Sequence, residues 1–329
     1  MRNQFNNSVK IVTVALVSIS LTYSSCSDKP KEATNGSGNL EGTVSISGAF
    51  ALYPIANIWA EEFTKIHPDV KFNISAGGAG KGVADALAQT VDLGMLSRDL
   101  KPEEKEKGAW IIAVTKDAVL PTISANNPDI TILKEKGLTK ELFRKIFITG
   151  EIKTWGEAIN DKSKKAAINV FTRSDAAGAA ETWAKYLGAK GQEEIKGIGV
   201  FGDPGVAEAV KKDPTAIGFN NVIYIYDLKT KTKYPGIDVV PIDINEDGKI
   251  DSSEKFYDDI DQITAAIASG RYPSPPARDL YFISKGKPTN AAAIEFLKWI
   301  LTDGQKFVDA AGYIKLPEEK IKAEAKSLN

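Results

Sequence analysis

Apolar and polar residues alternate with a period of two over Thr43–Ser47 and again over Val70–Ser75. Between them the period lengthens: Ile55, Ile58, Trp59, Phe63 and Ile66 share one face of a helix expected over Tyr53–Ile66, with Pro54 near its start, where a missing N–H costs nothing. A glycine-rich turn, Gly77–Gly82, leads to a helix over Val83–Thr90, and the apolar run Val91–Met95 reads as a buried strand. Further strands are expected over Ile111–Val114 and Val119–Ser124. This βαβαβ order predicts a parallel α/β sheet. A second α/β block follows, with a helix over Lys140–Ile148, a strand over Asn169–Thr172, a short helix over Gly205–Lys212 and a strand over Ile217–Tyr226. The last block reads as a strand over Val239–Ile244, a helix over Glu254–Ser269, a strand over Leu280–Ser284 and an amphipathic helix over Asn290–Leu301. No repeat of solenoid length interrupts this order.

The chain has 329 residues, more than one core usually supports, so two lobes are expected. Formal net charge is −1 with no long basic block, which argues against nucleic acid and against a polybasic membrane surface. At the N-terminus, Arg2 and Lys10 precede an apolar run from Ile11 to Leu21, the size of a signal-peptide core rather than of a membrane span. The single cysteine, Cys26, stands just behind that core. This predicts a signal peptide over residues 1–25, a lipidated Cys26 and a polar tether over 26–41, hence an exported lipoprotein held at the periplasmic or cell-surface side of a membrane. The lone His67 reads as a surface turn residue. With no second histidine and no other cysteine, histidine-based triads and the usual zinc sites lack their parts, so no enzyme is expected.

Candidate chemistry concentrates in two places. The first is Val170–Ala179, where a strand end, Arg173 and a turn of small residues run straight into a helix. The first turn of a helix leaves N–H groups without intrahelical acceptors, and the helix dipole adds positive charge there. A guanidinium beside such a turn makes an anion site. The same turn-to-helix design recurs at Gly48-Ala49-Phe50-Ala51 and at Ala79-Gly80 in the glycine turn. Three such starts suggest one small anion held from several sides, with Arg173 as charge partner and Ala177, Gly178 and Ala179 offering backbone donors. Ordinary βα loops are the plainer reading of each one alone.

The second is Asp243–Glu254. Asp243, Asn245 and Asp247 supply oxygens at alternating positions, Gly248 permits a sharp turn, Lys249 offers its carbonyl, Asp251 reaches the ion and Glu254 closes the loop with two oxygens. The spacing predicts a structural Ca2+ site with a helix leaving it. The alternative is a solvated acidic turn.

The order and spacing of Ser47-Gly48…Tyr53-Pro54, Gly77–Gly82, Val91–Leu100, Thr172–Asp175…Gly178, Ala216–Phe219 and Tyr272-Pro273…Leu280-Tyr281 resemble the phosphate-binding proteins of bacterial phosphate ABC transporters. The resemblance spans roughly Gly42 to Pro317. It implies a type II periplasmic-binding fold, with two α/β lobes joined by a two-crossing hinge around a ligand cleft. The expected lobes are residues 42–118 with 235–329, carrying the calcium loop, and residues 119–234. It also implies a monomeric solute receptor that passes phosphate or a related small anion to a membrane permease. Ser97 becomes a candidate hydroxyl ligand and Arg98 a second cation at the rim. Against the family pattern, alanine or phenylalanine stands where Ser and Thr usually line the loops, at Ala49, Phe50, Ala51, Ala79, Ala177 and Ala179. Hydroxyl donors have become apolar groups, and the expected acidic acceptor of the phosphate proton is replaced near Ser97. A larger or less polar anion, weak phosphate binding, or a non-transport role with a degenerate site would each follow.

Overall fold

The computed structural model describes residues 40–328. The expected signal peptide, Cys26 and nearly all of the tether lie outside the described residues. Nine strands form one continuous sheet among the described residues. They are β1 (Gly42–Gly48), β2 (Val70–Ala76), β3 (Leu93–Leu96), β4 (Ala109–Ser124), β5 (Asn169–Arg173), β6 (Ile198–Val200), β7 (Ala216–Asn221), β8 (Ile237–Val239) and β9 (Ala277–Lys285). Their order is β2-β1-β3-β9-β4-β7-β5-β6, with β8 paired to β4. The two ends are parallel as expected, β1 with β2 and β3, and β5 with β6 and β7. The centre is antiparallel, because β4 and β9 cross the molecule in opposite directions.

Two hydrophobic cores lie either side of that centre. The first gathers Trp59, Phe63, Phe282 and Phe296 from the helix Tyr53–Ile66, β9 and the helix Ala291–Ile300. The helix Tyr53–Ile66 has the bounds its apolar stripe predicts, and Trp59 donates its ring N–H to the Gly304 carbonyl at 2.9 Å. The second core gathers Phe143, Phe147, Trp155, Trp183 and Phe219. The fold is the type II periplasmic-binding arrangement, and its hinge is β4 with β9. Residues Ala109–Ala118 of β4 pair with β9, and Val119–Ile123 pair with β7 in the other lobe.

Several expectations need correction. The two strands expected over 111–114 and 119–124 are one strand, which runs through the charged pair Lys116-Asp117. The second crossing is not at residues 234–235. Val239, Ile242, Phe256, Tyr257, Ile263 and Tyr272 fill the second core, so the chain returns only at Ala277–Leu280 along β9. The loop expected to bind calcium therefore belongs to the second lobe, because β8, just before it, pairs with the far half of β4. The expected helix over 254–269 begins only at Ile260, capped by Asp259, whose side chain accepts from Gln262 N–H at 2.8 Å. The glycine turn is itself the start of a helix, Ala79–Leu87. Gly82 lies against the backbone of Gly48, where an added Cβ would fall 2.9 Å from the Gly48 Cα, so the helix rests directly on the sheet.

Candidate anion cleft

The three turn-to-helix segments do meet. Gly80 N–H, from the first lobe, donates to the Ala176 carbonyl of the second at 2.9 Å. Gly178, which opens the helix Gly178–Tyr186, faces Ser97 so closely that a side chain would sit 2.6 Å from the Ser97 carbonyl. Phe50 reaches across to Phe201 edge-on, with ring centroids 5.7 Å apart, and its face lies 5.2 Å from the guanidinium carbon of Arg173. The lobes are thus in contact around Arg173.

Arg173 itself is buried and already engaged. Asp175 takes Nε at 2.8 Å and Nη2 at 2.6 Å, and Asp203 takes Nη1. Burial opposes the guanidinium charge, but Asp203 and Asp175 outweigh it and hold the Arg173 pKa above its ordinary value. Asp203 is fixed in turn by Asn221, which donates its backbone N–H at 3.1 Å and its side-chain amide at 2.8 Å to Oδ1. Asn221 accepts from Arg278 Nη2 through its own Oδ1. Arg278 stands opposite Asp117 where the two hinge strands pair, 3.9 Å away. Neither carboxylate oxygen of Asp117 has a hydrogen-bond partner, and burial, with Arg278 opposing, pushes its pKa up to about 7. A polar chain thus joins the arginine cradle to the hinge.

Many expected backbone donors are spent inside the protein. Ala49 N–H bonds the Met95 carbonyl at 2.9 Å, and Ala177 N–H bonds Gln192 Oε1 at 2.8 Å. With Gly80 bonded to Ala176, three of the expected amides face protein acceptors. The amides of Gly178 and Ala179, in the first helical turn, have no intrahelical acceptor. Phe50, Ala51 and Ala79 present only apolar side chains where hydroxyls were expected. Arg98, expected as a second cation at the rim, is paired inside the protein. Glu104 binds it side-on at 2.6 and 2.8 Å, and it lines a cavity of about 480 Å3 shared with Lys101, Lys116 and Lys185. The sequence reading missed Asp203. Its signal is the strand-turn-helix placement of Gly202-Asp203-Pro204-Gly205 after β6, the same design as the arginine turn.

At the second predicted site, Asp243 and Glu254 are buried, while Asn245, Asp247 and Lys249 are exposed. Glu254 Oε1 accepts from Ile244 and Asn245 N–H at 2.6 and 3.1 Å, and Asp243 Oδ2 accepts from Gly248 N–H at 3.0 Å. Among the described residues, no three His, Cys, Asp or Glu side chains stand gathered as a ready-made metal cage.

The two lobes, the two-strand hinge and the arginine turn are the features that relatives can test. A family model described as the PBP superfamily domain matches residues 33–304. The chain belongs to the PBP superfamily. Within that family, phosphate-binding protein PstS of Bacillus subtilis (strain 168) is 28% identical over 297 residues, covering 89% of this chain and 87% of the relative. PstS of Staphylococcus aureus (strain USA300) is 25% identical over 301 residues, covering 89% and 85%. A substrate-binding protein of the phosphate ABC transporter class from Clostridium perfringens, solved with bound phosphate, has a TM-score of 0.68 at 25% identity, covering 84% of this chain and all of that one. A phosphate transport receptor from Vibrio cholerae shares the fold at a TM-score of 0.59 and 18% identity. This PBP-superfamily chain is thus a distant homologue of PstS-type binding proteins. The expectation of a binding protein rather than an enzyme agrees with these relatives.

Proposed function

We propose that this chain is the solute receptor of an ABC-type uptake system for phosphate or a related small oxyanion, exported and held at the membrane by a lipidated Cys26. The observation that carries the reading is the buried Arg173, at the end of β5 where the two hinged lobes touch and just before the helix Gly178–Tyr186, on a body homologous over most of its length to PstS proteins. Arg173 and the first-turn amides of Gly178 and Ala179 meet the anion. Asp175 holds the guanidinium plane from the side. Asp203 occupies the position a ligand oxygen needs on Nη1, so the anion either displaces that carboxylate or shares a proton with it. Closure by rotation about β4 and β9 excludes water from the contact.

This arrangement predicts weak phosphate binding. Two carboxylates face one guanidinium, and the lost hydroxyls each remove roughly 1.5–3 kcal/mol of hydrogen bonding to a charged ligand. Calorimetric titration of the wild type and of Asp203→Asn against phosphate, sulfate, arsenate and small organic acids tests it. Asp203→Asn, which relieves one negative charge, is expected to tighten phosphate binding by roughly tenfold to a hundredfold, equivalent to about 1.4–2.8 kcal/mol. Phe50→Ser, which restores a hydroxyl and opens the crevice, is expected to act in the same direction. No measurable heat with any anion, for the wild type and both variants, rejects the reading.

The saturation of Arg173 favours a second reading: an anchored binding protein of the same fold, outside transport, whose anion site is degenerate and whose partner is a surface or matrix component. In that case Asp203→Asn does not create phosphate binding, so the same titration separates the two.

A further inference from the structure

We infer that the loop Asp243–Glu254 is a Ca2+ site that braces the second lobe. The inference is independent of the anion cleft.

Asp243 is 2% exposed, and its carboxylate is split in use. Oδ2 accepts from Gly248 N–H at 3.0 Å, which turns the carboxylate toward the loop interior, while Oδ1 is buried and has no hydrogen-bond partner. A buried carboxylate oxygen without a donor is costly, and a cation is the partner that removes the cost. At the other end Glu254, 3% exposed, is locked by the amides of Ile244 and Asn245, so its carboxylate closes over the same turn. Two fixed, buried carboxylates therefore flank a turn whose remaining oxygens belong to the exposed Asn245, Asp247 and Lys249 and the half-buried Asp251, held only by hydrogen bonds within the loop, Asn245 Nδ2 to Asp251 Oδ2 at 3.4 Å among them. The arrangement is a half-built cage that the ion completes, which is why no three carboxylates converge beforehand. An all-oxygen set of this size, with a flexible rim, suits Ca2+ better than the smaller, rigidly octahedral Mg2+.

The loop's anchors decide what the ion does. Ile250 packs on Gly137, where an added Cβ would lie 2.5 Å from its Cδ1, and Ile250 N–H bonds the Glu135 carbonyl at 2.8 Å. Before the loop, Ile242 N–H donates to the Tyr257 hydroxyl at 3.2 Å; after it, Phe256 and Tyr257 are buried. Tyr272 packs edge-on to both and donates its hydroxyl to the Val119 carbonyl of β4 at 2.6 Å. No helix leaves Glu254 to act as a lever, so the ion ties loop, aromatic layer and hinge strand together and signals nothing.

The test uses the full chain. Metal analysis after desalting from millimolar Ca2+ is expected to find one ion per chain, and chelation is expected to lower Tm by roughly 4 °C relative to Ca2+ at about a hundred times its Kd. Mg2+ at equal concentration is expected to give a smaller shift. Glu254→Gln keeps an acceptor for Ile244 and Asn245 but loses the charge, and is expected to lose the retained ion and the Ca2+-dependent Tm shift. Asp243→Asn is expected to do the same. A wild type that holds no ion and melts identically with Ca2+ and with chelator overturns the inference, whatever the variants do. So does a Glu254→Gln protein that binds Ca2+ as the wild type does.

Discussion

The two acidic clusters of this molecule stand in opposite conditions. In the cleft, Asp175 and Asp203 enclose one guanidinium, and every oxygen that faces Arg173 has a partner. In the loop, Asp243 keeps a buried oxygen with none. A ligand entering the first must displace a protein group, and its net affinity is what remains after that group is stranded. A cation entering the second satisfies an existing deficit at Asp243 and displaces only a long loop hydrogen bond, Asn245 Nδ2 to Asp251 Oδ2 at 3.4 Å. Similar carboxylates thus make one site reluctant and the other receptive, and the difference lies in internal pairing rather than in composition.

Removing Arg173 puts the comparison under the greatest strain. Arg173→Ala leaves Asp175 and Asp203 buried without a cation, which is expected to cost about 3–5 kcal/mol of stability. Denaturant unfolding measures it. Arg173→Met combined with Asp203→Asn is expected to recover part of the loss. A loss under about 1 kcal/mol would mean the two carboxylates reach water once the arginine is gone, and the cradle would not be the closed pair described here.

Asp117 lies between the extremes, 3.9 Å from its cation and with no hydrogen bond. Its folded pKa is pushed up to about 7, well above the ordinary carboxylate value. Between pH 4 and 7 the folded state therefore holds a proton that the unfolded chain has released. The sign follows: this group stabilises the protein at low pH, and that contribution is lost as pH rises through 7. Three pK units correspond to at most ~4 kcal/mol. Asp117→Asn removes the titration, so its stability relative to the wild type is expected to be higher at pH 8 than at pH 5. A difference that does not vary with pH would place Asp117 as an ordinary ionised partner of Arg278.

How far such contrasts can be read from sequence depends on whether a signal is local. The helix Tyr53–Ile66 is legible because its stripe, its proline and its neighbours agree. The arginine turn is legible as a strand-to-helix start. The saturation of Arg173 is not, because Asp203 lies thirty residues on and reaches it only through the parallel pairing of β5 and β6. The continuity of β4 is hidden by Lys116-Asp117, whose charges look like a break and instead mark the place where the strand passes between lobes. The second crossing fails for a related reason: the run from β8 to Tyr272 carries apolar residues fit for either core, and only its pairing to the far half of β4 chooses. The calcium spacing is the reverse case. The ligand positions are local and visible, but the helix expected to follow is replaced by Phe256 and Tyr257, which tertiary packing pulls into the second core.

Phe50 tests the comparison with the smallest effect. Its ring covers the guanidinium of Arg173 at 5.2 Å, its carbonyl accepts from the Tyr224 hydroxyl at 2.9 Å, and Phe201 meets it edge-on. A cation over an aromatic face contributes from about 0.5–1 kcal/mol at exposed sites to about 2 kcal/mol where it is desolvated. Here two carboxylates already neutralise that cation, so Phe50→Leu is expected to fall at the low end of that range. In the Asp203→Asn background the guanidinium keeps more of its field, and the same substitution is expected to cost more. A double-mutant cycle on unfolding free energies reads the difference as coupling. Zero coupling would mean the ring only packs on Phe201, and the guanidinium would then be masked by its two carboxylates alone.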